Sequence, residues 1–81
     1  MAQYHIYHST GKDRFQEVEN QPRKYAGFVE ANSFQEAFVK AQNTDSEWSE
    51  YHQARSTSVG DVIQGEDKFM MVCGTGFKEL I

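Results

Sequence analysis

The chain has 81 residues, of which 8 are Lys or Arg and 12 are Asp or Glu, so its formal net charge is −4. This length favours one small domain, since independent domains usually have ~100–150 residues. The longest strongly apolar run, residues 69–73, is far shorter than the ~20 residues of a membrane-spanning helix. The one cysteine, Cys73, excludes an intrachain disulfide and a cysteine-built zinc site.

The composition favours a folded protein, because six phenylalanines, four tyrosines and one tryptophan are more aromatic residues than disordered chains carry. The first residues lack the basic start and apolar core of a signal peptide. A single free cysteine also suits a reducing compartment. We therefore expect a cytoplasmic protein.

Two stretches near the start of the chain have the character of β-strands. Residues 3–8 alternate, with His8 on one face and His5 on the other, and both faces carry aromatic rings, so we expect this strand to be central. The charged residues 12–23 predict a loop or a short helical turn. Residues 24–31 predict a second strand, and the glycine within it indicates either a β-bulge or a close approach by other backbone.

The strongest local signal predicts a helix over residues 33–43. Ser33 and Glu36 have the spacing of a capping box, in which the two side chains satisfy backbone N–H groups of the first turn. The apolar residues that follow recur at helical spacing and form one face. That face consists of Phe34, Ala37, Phe38 and Ala41.

The last third of the chain predicts a second helix and a hairpin. Ser58 is placed to cap a short helix at about residues 58–64, and residues 68–73 and 77–81 are typical of two strands joined by a glycine turn. Phe69 is expected in the core together with the helix phenylalanines. The predicted fold class is α+β: a small, mostly antiparallel sheet of about four strands, with both helices on one face.

No motif in the sequence predicts catalysis. His5 and His8 lie on opposite faces of their strand, so they cannot chelate one metal ion without a bulge. Cys73 belongs to the most apolar run, where a free cysteine usually behaves as a small buried hydrophobe. We therefore expect neither an enzyme nor a cofactor or metal site.

An acidic segment with two aromatic residues is the first candidate for a protein-binding surface. Its members are Asp45, Glu47, Trp48, Glu50 and Tyr51. Carboxylates with neighbouring aromatic rings suit a basic partner, because aromatic residues are enriched among interface hot spots. In the alternative interpretation, the acidic residues form a solvated loop and Trp48 completes the core. Since the basic residues are scattered, we do not expect nucleic acid to be the main partner.

A second candidate is the polar run Arg55, Ser56, Thr57 and Ser58. Placed at the start of the predicted second helix, these residues would offer free backbone N–H groups and a guanidinium to an anion. In the alternative interpretation, the serines and the threonine bind nearby backbone and Arg55 pairs with an acid of the same domain.

The same run carries a resemblance to a known family. Residues 55–62 read Arg-Ser-Thr-Ser-Val-Gly-Asp-Val, followed by the apolar strand and a Gly-Phe ending at residues 76–77. This order resembles the YodL-like domain family, with its Arg-Ser-x-Ser-Val-x-Asp-Val segment, and small uncharacterised proteins of tailed bacteriophages. The resemblance spans about residues 28–81. The family commonly has Ser where this chain has Gly60, so no hydroxyl role is implied there.

The resemblance implies a phage or mobile-element protein in the host bacterial cytoplasm, without implying a reaction. The function expected from the sequence is a non-enzymatic accessory protein that binds a host or viral protein. One alternative is an anion or nucleic-acid binding module that uses Arg55. Another is a small homo-oligomer formed by pairing of edge strands.

Overall fold

Five antiparallel strands form one sheet within the residues that the computed structural model describes, which are 1–43, 48 and 55–80. The strands are β1 (Ala2–Ser9), β2 (Arg23–Ala31), β3 (Val62–Gly65), β4 (Lys68–Cys73) and β5 (Gly76–Leu80), in the order β2-β1-β3-β4-β5. The predicted α+β class is confirmed, and β1 is an inner strand as expected. The sheet has one strand more than predicted.

The predicted β-bulge lies in β2. Ile6 pairs with Gly27, whereas the next residue, Tyr7, pairs with Tyr25, so Ala26 is the extra residue. Gly27 has φ 139°, a conformation that side chains disfavour. Because of the bulge, Tyr25 and Phe28 lie on the same face of the sheet.

Helix α1 (Phe34–Lys40) begins where the capping residues predict. Ser33 Oγ accepts a hydrogen bond from the Glu36 backbone N–H at 3.1 Å, and the Glu36 carboxylate accepts one from the Asn32 N–H at 3.1 Å. The helix ends three residues earlier than predicted, because the Ala41 carbonyl accepts a hydrogen bond from Thr57. Within the described residues, no helix has the length and apolarity that a membrane span requires.

The predicted second helix is wrong, because residues 58–61 form a turn that leads into β3. Gly60 has φ 92°, and its N–H binds the carbonyl of Val72 on the neighbouring strand at 2.9 Å. Val62 and Ile63 point to opposite faces and are both buried, at 4% and 0% exposure. In an inner strand that is apolar on both faces, the spacing of the apolar residues can match that of a short helix. Pairing with β4, and not the sequence pattern, therefore decides that this segment is a strand.

Helix α1 covers one face of the sheet and closes the main core. The buried residues of this core come from β1, β2, β3, β4 and the helix: Tyr4, Ile6, Ala26, Val29, Ala31, Ala37, Ala41, Ile63 and Val72. Four larger, partly buried side chains pack against it: Phe34, Phe38, Trp48 and Phe77. His8 also lies on this face, whereas His5 lies on the other, as the strand alternation predicts.

The opposite face of the sheet is covered at one end only, by the loop of residues 10–22. We call the uncovered part the open face. Among the side chains that the strand registers place on it are five ring-bearing residues and one leucine: His5, Tyr7, Tyr25, Phe28, Phe69 and Leu80. The prediction that Phe69 belongs to the core is wrong, since its side chain points away from α1 and is 45% exposed.

Candidate functional site

The predicted anion-binding run is occupied by the protein's own groups. Arg55 donates two hydrogen bonds to the carboxylate of Asp61, at 2.6 and 2.8 Å. Asp61 is completely buried, and it also accepts from the backbone N–H groups of Ser9 and Ser58, at 2.9 and 2.8 Å. These hydrogen-bond donors stabilise the buried negative charge of the Asp61 carboxylate. Arg55 therefore has an internal anion as its partner.

The neighbouring hydroxyl residues bind backbone and side chains nearby. Ser56 Oγ accepts from the Asn43 N–H at 2.7 Å, and the Thr57 N–H donates to Ala41 O at 3.0 Å, at the end of α1. Because residues 55–58 belong to no helix, they lack the helix N-terminus on which the predicted anion site depended. These contacts agree with the alternative interpretation, in which the serines and the threonine bind nearby backbone and Arg55 pairs with an acid of the same domain.

A buried histidine completes this polar cluster. His8 Nε2 lies 3.0 Å from Thr57 Oγ1 and 3.8 Å from Asp61 Oδ2. Burial lowers the pKa of His8 to about 4; Asp61 opposes this shift and Arg55 adds to it. His8 is therefore neutral at neutral pH. Among the described residues, no group of histidine, cysteine and carboxylate side chains is arranged to hold a metal ion.

Trp48 packs beside this cluster. Its indole N–H donates to the Arg55 carbonyl at 2.9 Å, and its ring centroid lies 5.7 Å from that of His8. The side chain thus has a structural role, as the alternative interpretation stated. The other four residues of the predicted protein-binding segment, Asp45, Glu47, Glu50 and Tyr51, lie outside the described residues.

The open face is a candidate functional surface that sequence reasoning missed. The Tyr7 ring lies 5.4 Å from Tyr25 and 6.5 Å from Phe69, and the His5 ring lies 6.0 Å from Phe28. Phe28 and Phe69 are each 45% exposed. The signal that could have found this face is the aromatic content of both faces of residues 3–8, because a seven-residue helix covers only one of them.

Two hydrogen bonds join polar side chains within the open face. The Tyr7 hydroxyl donates to Gln64 Oε1 at 3.0 Å, and His5 Nδ1 lies 2.9 Å from the Tyr25 hydroxyl. These bonds fix the orientation of the rings before any partner arrives. The face therefore presents a fixed set of aromatic edges and planes, which lowers the entropy lost when a partner binds.

Arg23 links the open face to the loop that covers its end. The guanidinium donates to the carbonyls of Val18 and Glu19 at 2.9 Å each, and to Gly60 O at 3.0 Å. It also donates to Gln21 O at 3.4 Å and contacts the sulfur of Met71 at 3.6 Å. Beside it, a cavity of about 370 Å³ opens on the sheet surface. The cavity is lined by Tyr7, Arg23, Val62, Phe69 and Leu80.

No protein-family model, curated protein or solved structure matches the chain. The resemblance to the YodL-like family therefore stays a prediction. The function has to be argued from the geometry described above.

Proposed function

We propose that the chain is a non-enzymatic protein-binding module and that its open face contacts the partner. The observation that carries this proposal is the exposure of Phe28 and Phe69, 45% each, within a continuous aromatic surface on an antiparallel sheet. Exposed aromatic surface of this kind is enriched at protein interfaces, where aromatic side chains provide much of the binding energy.

The charges near this face favour a protein over a nucleic acid. Lys78 lies on the same side of the sheet, but its ammonium pairs with the carboxylate of Glu19. Arg23 is a single cation, and four of its five hydrogen bonds go to backbone carbonyls. Lys24 and Lys68 belong to the opposite side by register. A phosphate backbone would therefore meet no row of available cations on the described part of this face.

The biological setting of this proposal is a phage or a mobile element, which the resemblance to the YodL-like family supports. In that setting the partner is a host or viral protein, and the module acts by covering part of the partner's surface. Binding alone is sufficient for such an activity, so no catalytic residues are needed.

The test is site-specific cross-linking combined with surface variants. A photo-reactive phenylalanine at position 69 is expected to cross-link a defined partner in host cells, whereas one at position 39 is not. Val39 is a matched control, since it is apolar and 63% exposed on the helix side. Phe28→Ser and Phe69→Ser are each expected to reduce recovery of that partner by about 10-fold, and Val39→Ser is expected to leave it unchanged.

Two results would contradict the proposal. One is equal recovery of the cross-linked partner by wild type and by both serine variants, with urea unfolding showing that all are folded. The other is a concentration-dependent dimer in light scattering that Phe69→Ser converts to a monomer. In that case the open face binds a second copy of the chain and not a separate protein.

A further inference from the structure

The cavity beside Arg23 has an apolar lining with one charge at its end. Val62 is its buried floor, Tyr7 stands on the β1 side, and Phe69 and Leu80 stand on the β4 and β5 side. The Tyr7 hydroxyl is already bound to Gln64. Its volume of about 370 Å³ is near the lower end of ligand pockets, which range over ~300–1,000 Å³. This size suits one large side chain of a partner with its adjoining backbone.

Arg23 is a cation without an acidic partner among the described residues. Its five N–H groups meet the carbonyls of Val18, Glu19, Gln21 and Gly60 and the sulfur of Met71. Each of these acceptors is neutral. A thioether is a weak acceptor, so the contact with Met71 does least to compensate the charge of Arg23.

The other described cations that lie close to a carboxylate already form an ion pair with it. Arg55 pairs with Asp61, Lys78 with Glu19, and Lys40 with Glu36. Burial lowers the pKa of Arg23, because a partly desolvated guanidinium is disfavoured in its charged form, and the negative charge of Asp61 only partly opposes this shift. A carboxylate brought to this end of the cavity would offset that penalty.

We propose that the cavity receives one large apolar side chain of the partner, with Arg23 bound to a carboxylate on the adjacent residue. This inference rests on the proposed function and adds the chemistry of the partner segment. The apolar side chain would displace water from Val62, Phe69 and Leu80, and the carboxylate would approach the guanidinium of Arg23 where it lines the cavity. Recognition thus requires both groups side by side, which makes it selective.

The experiment is an NMR titration of the ¹⁵N-labelled chain with three capped dipeptides. Acetyl-Phe-Asp-amide carries both groups, acetyl-Phe-Asn-amide lacks the charge, and acetyl-Ala-Asp-amide lacks the ring. The first is expected to shift the backbone amide signals of Tyr7, Phe69 and Leu80, with an affinity about 5-fold or more above that of either control. Equal affinities for the Asp and Asn peptides would overturn the role of Arg23.

Placing the charge test on the peptide avoids changing Arg23, which also holds the loop. On the protein side, Leu80→Ala is expected to weaken acetyl-Phe-Asp-amide binding at least about 3-fold. Lys24→Gln is the matched control, since it removes an exposed cation from the opposite side of the sheet. Unchanged binding by Leu80→Ala would show that the cavity is not the site.

The two proposals fail in distinguishable ways. If cross-linking at position 69 still finds a partner that Phe69→Ser loses, while the Asp and Asn peptides bind equally, the protein-binding function stands and the partner chemistry is wrong. If the Asp peptide binds as expected but no partner contacts the open face, the cavity is a small-ligand site and the protein-binding function is wrong.

Discussion

Arg55 and Asp61 form a bidentate ion pair in which the carboxylate is completely buried, whereas the arginine side chain is 30% exposed. The two residues stand on either side of the turn that leads into β3. Asp61 also binds the N–H groups of Ser9 and Ser58, so it joins the end of β1 to this turn. One carboxylate thus fixes the junction of three chain segments.

Replacing this carboxylate is expected to destabilise the protein strongly. Asp61→Asn leaves the guanidinium of Arg55 without its anion and gives Ser9 and Ser58 a weaker acceptor. We expect the free energy of unfolding to fall by about 3 kcal/mol, measured by urea denaturation. Lys78→Met, which breaks an exposed ion pair with Glu19, is the control and should leave the free energy of unfolding nearly unchanged. A similar small effect from both variants would contradict this prediction.

The turn at Gly60 should not tolerate a side chain. With φ 92°, a Cβ at this position would lie 2.4 Å from the backbone oxygen of Gln16. Gly60→Ala is therefore expected to lower the free energy of unfolding by about 2 kcal/mol in urea denaturation. Gly74→Ala is the matched control, because a Cβ there would meet only a carboxylate oxygen of Glu17 at 3.9 Å. Equal unfolding midpoints for the two variants would show that the turn can rearrange.

The buried His8 should make stability depend on pH. Its pKa of about 4 in the folded protein lies below the ordinary histidine value of 6.5, so the unfolded chain binds more protons between these values. The contribution of the neutral His8 side chain to the free energy of unfolding is fully present above about pH 6.5 and is lost as the pH falls towards 4. We expect a loss of about 2 kcal/mol in the free energy of unfolding over this window.

His8→Gln tests this assignment, because it removes the titrating group from the cluster. The variant should show a flatter dependence of unfolding free energy on pH between 4 and 6.5 than the wild type. Trp48 offers a second measurement, since its ring lies 5.7 Å from that of His8 and its fluorescence should decrease when the imidazole becomes charged. Parallel pH curves for wild type and variant would assign the pH dependence to other groups.

The helix cap has a smaller expected effect. Ser33→Ala removes the oxygen that accepts from the Glu36 N–H, and we expect it to lower the free energy of unfolding by about 1 kcal/mol. Ser33→Asp should preserve most of this stability, since an aspartate accepts the same hydrogen bond. Urea denaturation of the wild type and the two variants measures the order of their free energies of unfolding. A Ser33→Asp variant as unstable as Ser33→Ala would contradict it.

Local interactions explain what the sequence could predict. Ser33 and Glu36 define the start of α1 through bonds within a few residues, and the alternation of residues 3–8 defines which side chains share a face. The strand Val62–Gly65 could not be separated from a helix in this way. Its backbone partners belong to β1 and β4, which are distant in sequence, and its apolar spacing fits both structures.

Prediction of the candidate site would have required information on tertiary packing, which local sequence patterns do not contain. Apolar residues such as Phe28 and Phe69 predict burial, but the number of layers that cover a sheet decides whether both of its faces are buried. Here one seven-residue helix covers one face, so the aromatic residues on the other remain accessible. The sequence offered an acidic partner for Arg55 as one of two interpretations but did not identify Asp61. For Arg23, only the fold brings Gly60 and Met71, which are distant in sequence, to the guanidinium.

The way in which Arg23 holds the loop of residues 10–22 bears on how this protein can diverge. Its guanidinium recognises main-chain oxygens, which every amino acid provides, so most side chains in the loop are free to change while its path is preserved. Changes in loop length, by contrast, would shift those oxygens out of reach. Homologues should therefore vary widely in loop sequence, keep its length, and keep the arginine.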